Sequence, residues 1–232
     1  MSHDGHALIE TPTPPGFVPH KVAHHFDTHV QEFQSCKLVF WLFLATEVML
    51  FGGLFAAYFY YHDLYLETFV EGGKQLNWQL GALNTSILLA SSFTMAMGVR
   101  AAQKSQKGPM MTYLALTVAG ALGFMVVKYF EYTAKIDHGL LPGVYFHPHG
   151  EYAAVFEGLE HANLFFSLYF TMTGIHGLHV LIGAGLILWI MKRGAKGMYH
   201  SGHFLPVDLV GLYWHLVDLI WIFLFPLLYL VP

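Results

Sequence analysis

Five stretches of this chain stay apolar long enough to cross a bilayer: roughly residues 38–61, 80–102, 111–132, 162–191 and 207–231. About 20 apolar residues in a helix, rising 1.5 Å each, span a hydrocarbon core about 30 Å thick. None of the five shows the two-residue alternation of a membrane β-barrel strand. The pattern predicts an all-α integral membrane protein, a five-helix bundle over residues 37–232 behind an extramembrane tail over 1–36. The fourth stretch is long and is expected to tilt or to project beyond the bilayer.

The polar positions inside these stretches carry the most information. Glu47 is the one ionisable side chain, tyrosines apart, in Leu38–Tyr61. A carboxylate at mid-membrane depth is costly, so it is expected to be paired, protonated, or turned toward protein or water. The rise per residue sets relative depths: Glu47 lies about 14 Å above Leu38, and Asp218 about 14 Å above Leu209. His179 and His176, on a helix running the other way, lie about 18 and 22 Å above Met191. Glu47, His176, His179, His215 and Asp218 thus fall in one band near the midplane. Isolated buried charges cost several kcal/mol each, so several of these groups are expected to face the bundle interior. His176 and His179, and likewise His215 and Asp218, are spaced i,i+3 and share a helix face. Glycines 174, 177, 183 and 185 are expected to admit a neighbouring backbone, and Asn84, Thr85, Ser86, Ser91, Ser92 and Thr94 to bridge helices. A second polar cluster is expected near the outer surface, where Lys128 and Glu131 close the third helix and Glu160 and His161 open the fourth. Its simplest form is an interfacial ion-pair network.

Charge orients the bundle. Arg100, Lys104 and Lys107 gather at the second connection, and Lys192, Arg193 and Lys196 at the fourth. The other two connections hold Asp63, Glu67, Glu71, Asp137, Glu151 and Glu157, against Lys74 and Lys135. The positive-inside rule places the N-terminus inside and the C-terminus outside, which suits Lys21 and Lys37. Composition agrees: 55% of residues are hydrophobic and only 11% are charged, about half the charged share of soluble domains. A net charge of −4 with scattered basic residues argues against a nucleic-acid partner. The single Cys36 excludes an intrachain disulfide. The N-terminus lacks the basic and apolar regions of a cleaved signal and reads as a short tail. That tail holds His3, His6, His20, His24, His25 and His29; metal binding is one reading, and a solvated segment lying on a partner is the preferred one.

Three chemistries compete for the polar layer. HxxH at 176 and 179, with His215 and Asp218 near, would make a mononuclear metal site; structural hydrogen bonding is the preferred reading. A proton relay could use Glu, Asp and His, but the second and third helices supply no acid or histidine at mid-depth. A stand-alone metalloenzyme or proton channel is therefore the less favoured class, and a static polar lock is the simpler account.

The segments FWLFLATEVMLFGGLFAAYF, LNTSILLASSFT, MVVKYFEY, FFSLYFTMTGIHGLHVLIG and YWHLVDLIWIFLFPLLYL resemble, in this order, subunit III of the haem–copper terminal oxidases. They cover most of residues 33–232, in the five-helix bacterial form of the cytochrome c oxidase subunit III family. The resemblance implies an accessory subunit of an aerobic respiratory oxidase, which reduces O₂ to water and translocates protons. It implies no haem, copper or other metal on this chain, with haem and copper on partner subunits and phospholipid bound between helices. Subunit I would be the direct partner, with subunit II, further subunits, and a donor complex or cytochrome c near the outer surface. The location implied is the bacterial cytoplasmic membrane. The family's carbodiimide-reactive glutamate matches Glu47; carbodiimides attack protonated carboxyls, so a neutral Glu47 is expected, with proton uptake as an open role. The first two helices of seven-helix members have no counterpart here, so lipid sites built from them do not carry over. A quinol oxidase subunit, or a relative attached to a nitric oxide reductase, is the alternative within the family.

Overall fold

The structure, a computed structural model, describes residues 13–20, 24 and 26–230. His3, His6, Lys21, His25 and Val231 lie outside these residues. The helices are α1 (His29–Leu64), α2 (Leu66–Lys74), α3 (Trp78–Gln103), α4 (Lys107–Asp137), α5 (Glu151–Phe156), α6 (Ala162–Gly194) and α7 (Leu205–Tyr229), with a 3-10 turn at Gly143–Tyr145. Among the described residues five helices, α1, α3, α4, α6 and α7, are long and apolar enough to span a membrane.

The spanning helices outrun the apolar stretches, because polar residues continue a helix outside the hydrocarbon. α1 begins at His29, ahead of the apolar run at Leu38, where Thr28 Oγ1 accepts the Gln31 N–H at 3.2 Å and Glu32 complements the dipole of the first turn. With 36 residues it is about 54 Å long and must project or tilt. α4 likewise runs to Asp137, through Lys135, whose Nζ reaches the Gln75 carbonyl. α2, which has no long apolar run, forms because Phe69 has rings to meet: Tyr58 at 5.2 Å and Phe165 at 5.5 Å. Thr68 Oγ1 ties it to the Glu160 carbonyl at 2.9 Å.

α3 and α4 pair along their length, α7 packs on α3 and α6, and α4 on α6. Four of the six small polar residues expected to bridge from α3 do so. Thr94 meets Thr117 at 2.8 Å, Ser92 meets His215 at 2.7 Å, and the Trp214 and Trp221 ring N–H groups donate to Ser91 at 3.1 Å and Thr85 at 3.0 Å. Ser86 instead bonds its own helix at Ala82, and Asn84 is buried without a hydrogen bond. Of the α6 glycines, Gly183 admits a neighbour, and that neighbour is a ring rather than a backbone: a Cβ there would lie 2.9 Å from Trp214 Cε3. Gly177 and Gly185 face nothing within 4 Å.

α1 stands at the side of this core, touching α2, α6 and α7. Only 11% of its most apolar stretch is buried, against 50% for α7. Among the described residues three polar contacts fasten it to this core: Lys37 to Asp208 at 3.3 Å, Glu47 to His179 at 2.7 Å, and the Tyr58 hydroxyl donating to the Leu227 carbonyl at 3.1 Å.

Candidate functional site

The five mid-depth residues do not form one cluster. Glu47 and His179 meet across α1 and α6, Oε2 to Nε2 at 2.7 Å, both side chains about one-seventh exposed. His179 Nδ1 lies 2.8 Å from the Ile175 carbonyl, which can only accept, so Nδ1 carries a proton. The Nε2–Oε2 contact then holds one proton, either on a neutral Glu47 or on a His179 imidazolium facing a carboxylate. In both forms the pair is neutral as a whole, which lets it sit in an apolar setting. Phe51 lies edge-on to His179 at 5.4 Å, and the Tyr213 hydroxyl donates to the His179 carbonyl at 3.2 Å.

His176, one turn away and on the same helix, is fully buried among other groups. Its ring lies 5.5 Å from Phe124 and 5.1 Å from Trp221, and neither nitrogen makes a hydrogen bond. On α7, His215 Nδ1 pairs with Ser92 at 2.7 Å. Asp218 is 3% exposed and lies beside Ser92, but neither carboxylate oxygen has a well-formed hydrogen bond. Among the described residues no hydrogen bond joins these three groups to one another.

The second cluster is a buried one. Lys128 and Glu131 pair at 2.8 Å with side chains 6% and 2% exposed. The Tyr229 hydroxyl, from the far end of α7, closes a triangle by accepting from Lys128 at 2.7 Å and donating to Glu131 at 2.6 Å. Lys128 Nζ lies over four rings: Trp221 at 4.7 Å, Tyr229 at 5.3 Å, Tyr169 at 5.4 Å and Tyr132 at 5.9 Å. Glu160 and His161 stand outside this triangle and are exposed. Glu160 contributes only its carbonyl, to Thr68, and the His161 ring lies 4.9 Å from Tyr65. Tyr229 and Tyr213 are the participants that sequence reasoning missed. Tyr229 carried a legible signal, since the C-terminal end of α7 reaches the depth of Lys128.

At the opposite end of the bundle the α6–α7 loop is partly enclosed. Burial, and then the neighbouring His20, push the His203 imidazole down to about 4, while burial raises the Tyr199 phenol.

This geometry defines a multi-pass helical membrane protein whose polar groups join helix to helix. The family model for cytochrome c oxidase subunit III matches residues 140–231. The chain is 33% identical to the cytochrome c oxidase subunit 3 of Thermostichus vulcanus over 191 residues, 82% of this chain and 84% of that one. It is 34% identical to that of Synechocystis sp. over 192 residues, 82% and 73% of the two. With a probable quinol oxidase subunit 3 of Staphylococcus haemolyticus it shares 29% over 213 residues, 88% and 93%. The chain belongs to the cytochrome c oxidase subunit III family, and as such is an accessory subunit of a multisubunit respiratory oxidase.

Proposed function

We propose that this chain flanks the catalytic subunit I of an aerobic cytochrome c oxidase in a bacterial cytoplasmic membrane, and sustains its turnover without carrying a redox centre. The observation that carries this reading is the pairing of Glu47 with His179 at 2.7 Å on the least buried spanning helix. That contact neutralises the acid within the chain and leaves the rest of the α1 face for subunit I and phospholipid. The basic loops then lie in the cytoplasm and the loop bearing the exposed Val144 and Tyr145 lies outside. Cytochrome c as donor rests on the relatives named for it; a quinol is the second reading, supported by the staphylococcal relative.

Deleting the chain from its operon and purifying the remaining complex tests the proposal. The haem and copper spectrum should be unchanged and the initial rate of oxygen reduction largely kept, with faster loss of activity during turnover. Loss of stoichiometric iron or copper from the complete oxidase in a His176→Ala/His179→Ala variant would sink the accessory reading.

A further inference from the structure

The N-terminal segment and the α6–α7 loop meet at the end of the bundle where α1 begins. The Val18 N–H donates to the Gly197 carbonyl at 2.9 Å. Gly197 has φ +74°, and a Cβ there would come within 2.9 Å of the Gly16 carbonyl oxygen, so glycine is what lets the segment lie this close. Phe17 packs edge-on to His200 at 5.8 Å, and Phe33 to Phe204 at 6.3 Å. Paired backbone bonds between His200 and His203, at 2.8 and 3.3 Å, fix the loop.

Four side chains converge inside this junction. The His20 ring stacks on His203 with centroids 3.8 Å apart and meets His29 at 5.0 Å. His20 Nε2 touches Glu32 Oε2 at 2.8 Å. One ring nitrogen from each of His20, His29 and His203 lies within 4.8 Å of the other two, and all three residues are half-buried. His29 and Glu32 share a face at the start of α1.

We propose that His20, His29, His203 and Glu32 form a binding site for a zinc-class divalent metal ion. Three imidazoles and a carboxylate are a donor set that suits zinc. Tetrahedral coordination with Zn–N of about 2.0–2.1 Å sets ligand nitrogens about 3.4 Å apart. From the 4.8 Å limit the rings need to close by about 1.4 Å, a shift that side-chain rotation supplies at a half-buried site. On binding, His20 leaves its stack and the Glu32 carboxylate passes from His20 to the metal. The ligands come from the N-terminal segment, the start of α1 and the α6–α7 loop, so the ion would staple three parts of the chain distant in sequence.

The test uses the assembled oxidase, stripped with chelator, titrated with Zn²⁺ and counted by elemental mass spectrometry. Wild type should bind one zinc more per complex than His29→Ala/His203→Ala, and His147→Ala, a surface histidine at the opposite end, should match wild type. Haem content reports assembly of each variant. Glu32→Gln keeps a hydrogen-bond partner for His20 and should weaken zinc binding about tenfold or more. Zinc should also slow proteolysis within the first 28 residues of the wild type only. Equal zinc counts in assembled wild type and double variant overturn the site. If the double variant fails to assemble, unchanged zinc affinity in Glu32→Gln with zinc-independent cleavage overturns it. Turnover is no part of the readout, so the result stands apart from the accessory-subunit reading.

Discussion

The Lys128–Glu131–Tyr229 triangle allows a double-mutant cycle with an unusual expected outcome. Glu131→Gln removes the negative charge but keeps an acceptor for the Tyr229 hydroxyl, now 2.6 Å away. Breaking a buried ion pair by removing one partner costs about 3–5 kcal/mol. The four rings around Lys128 recover part of that, about 0.5–2 kcal/mol by cation–π attraction. The net expectation for Glu131→Gln is a loss of about 1–4.5 kcal/mol. Lys128→Met leaves a buried carboxylate without its cation and should cost about 3–5 kcal/mol. The Lys128→Met/Glu131→Gln double variant removes both charges at nearly constant volume and should lie within about 1 kcal/mol of wild type. Equilibrium unfolding in mixed micelles against SDS gives all four free energies, and the coupling should be at least about 3 kcal/mol. Single variants costing under about 1 kcal/mol, or a double variant as unstable as the sum of the singles, would show that the pair is hydrated and the reasoning wrong.

Two further predictions address α1 and the α6–α7 contact. Glu47→Gln should preserve assembly and most of the initial oxygen reduction, because its amide can donate to His179 Nε2 as a protonated acid does; Glu47→Lys should lower the amount of assembled complex on native gels. Outright loss of oxygen reduction in Glu47→Gln would instead make the acid an obligatory proton carrier. Gly183→Ala should destabilise the chain by about 1–3 kcal/mol in the same SDS titration. Its Cβ would meet Trp214 at 2.9 Å, and that ring is held in place by its bond to Ser91.

The spanning helices are legible because apolar length is a one-dimensional signal. Their true ends are not, since Lys107, Lys135 and Asp137 on α4 are polar and yet helical. α2 is invisible for a related reason: LETFVEGGK has no membrane-length run, and only the rings of Tyr58 and Phe165 give Phe69 a reason to bury. Depth counting puts Glu47 and His179 at neighbouring levels, and the structure sets them in contact. Depth says nothing of rotation about the helix axis. His176 and His179 lie on one face, yet one ring is wedged between Phe124 and Trp221 and the other reaches α1. The Lys128–Glu131 spacing is local and readable, whereas Tyr229 is 98 residues from Glu131, and only the packing of α7 reveals it.

The three contacts that fasten α1 lie at 37, 47 and 58. The 11-residue interval from 47 to 58 is close to the 10.8 residues of three helical turns and keeps those two contacts on one line, while the 10-residue interval from 37 to 47 sets Lys37 about 80° round the helix from them. A helix held mostly by lipid-facing apolar surface has little to stop it sliding, because lipid tails are as apolar as leucine. Here a slip of one turn, about 5.4 Å, breaks all three contacts together. A slip of three turns sets Glu47 against the Leu227 carbonyl but carries Lys37 away from Asp208. His179 then loses its acid and Asp208 its cation. The spacing therefore sets the vertical register of α1, a property that its small buried area could not supply.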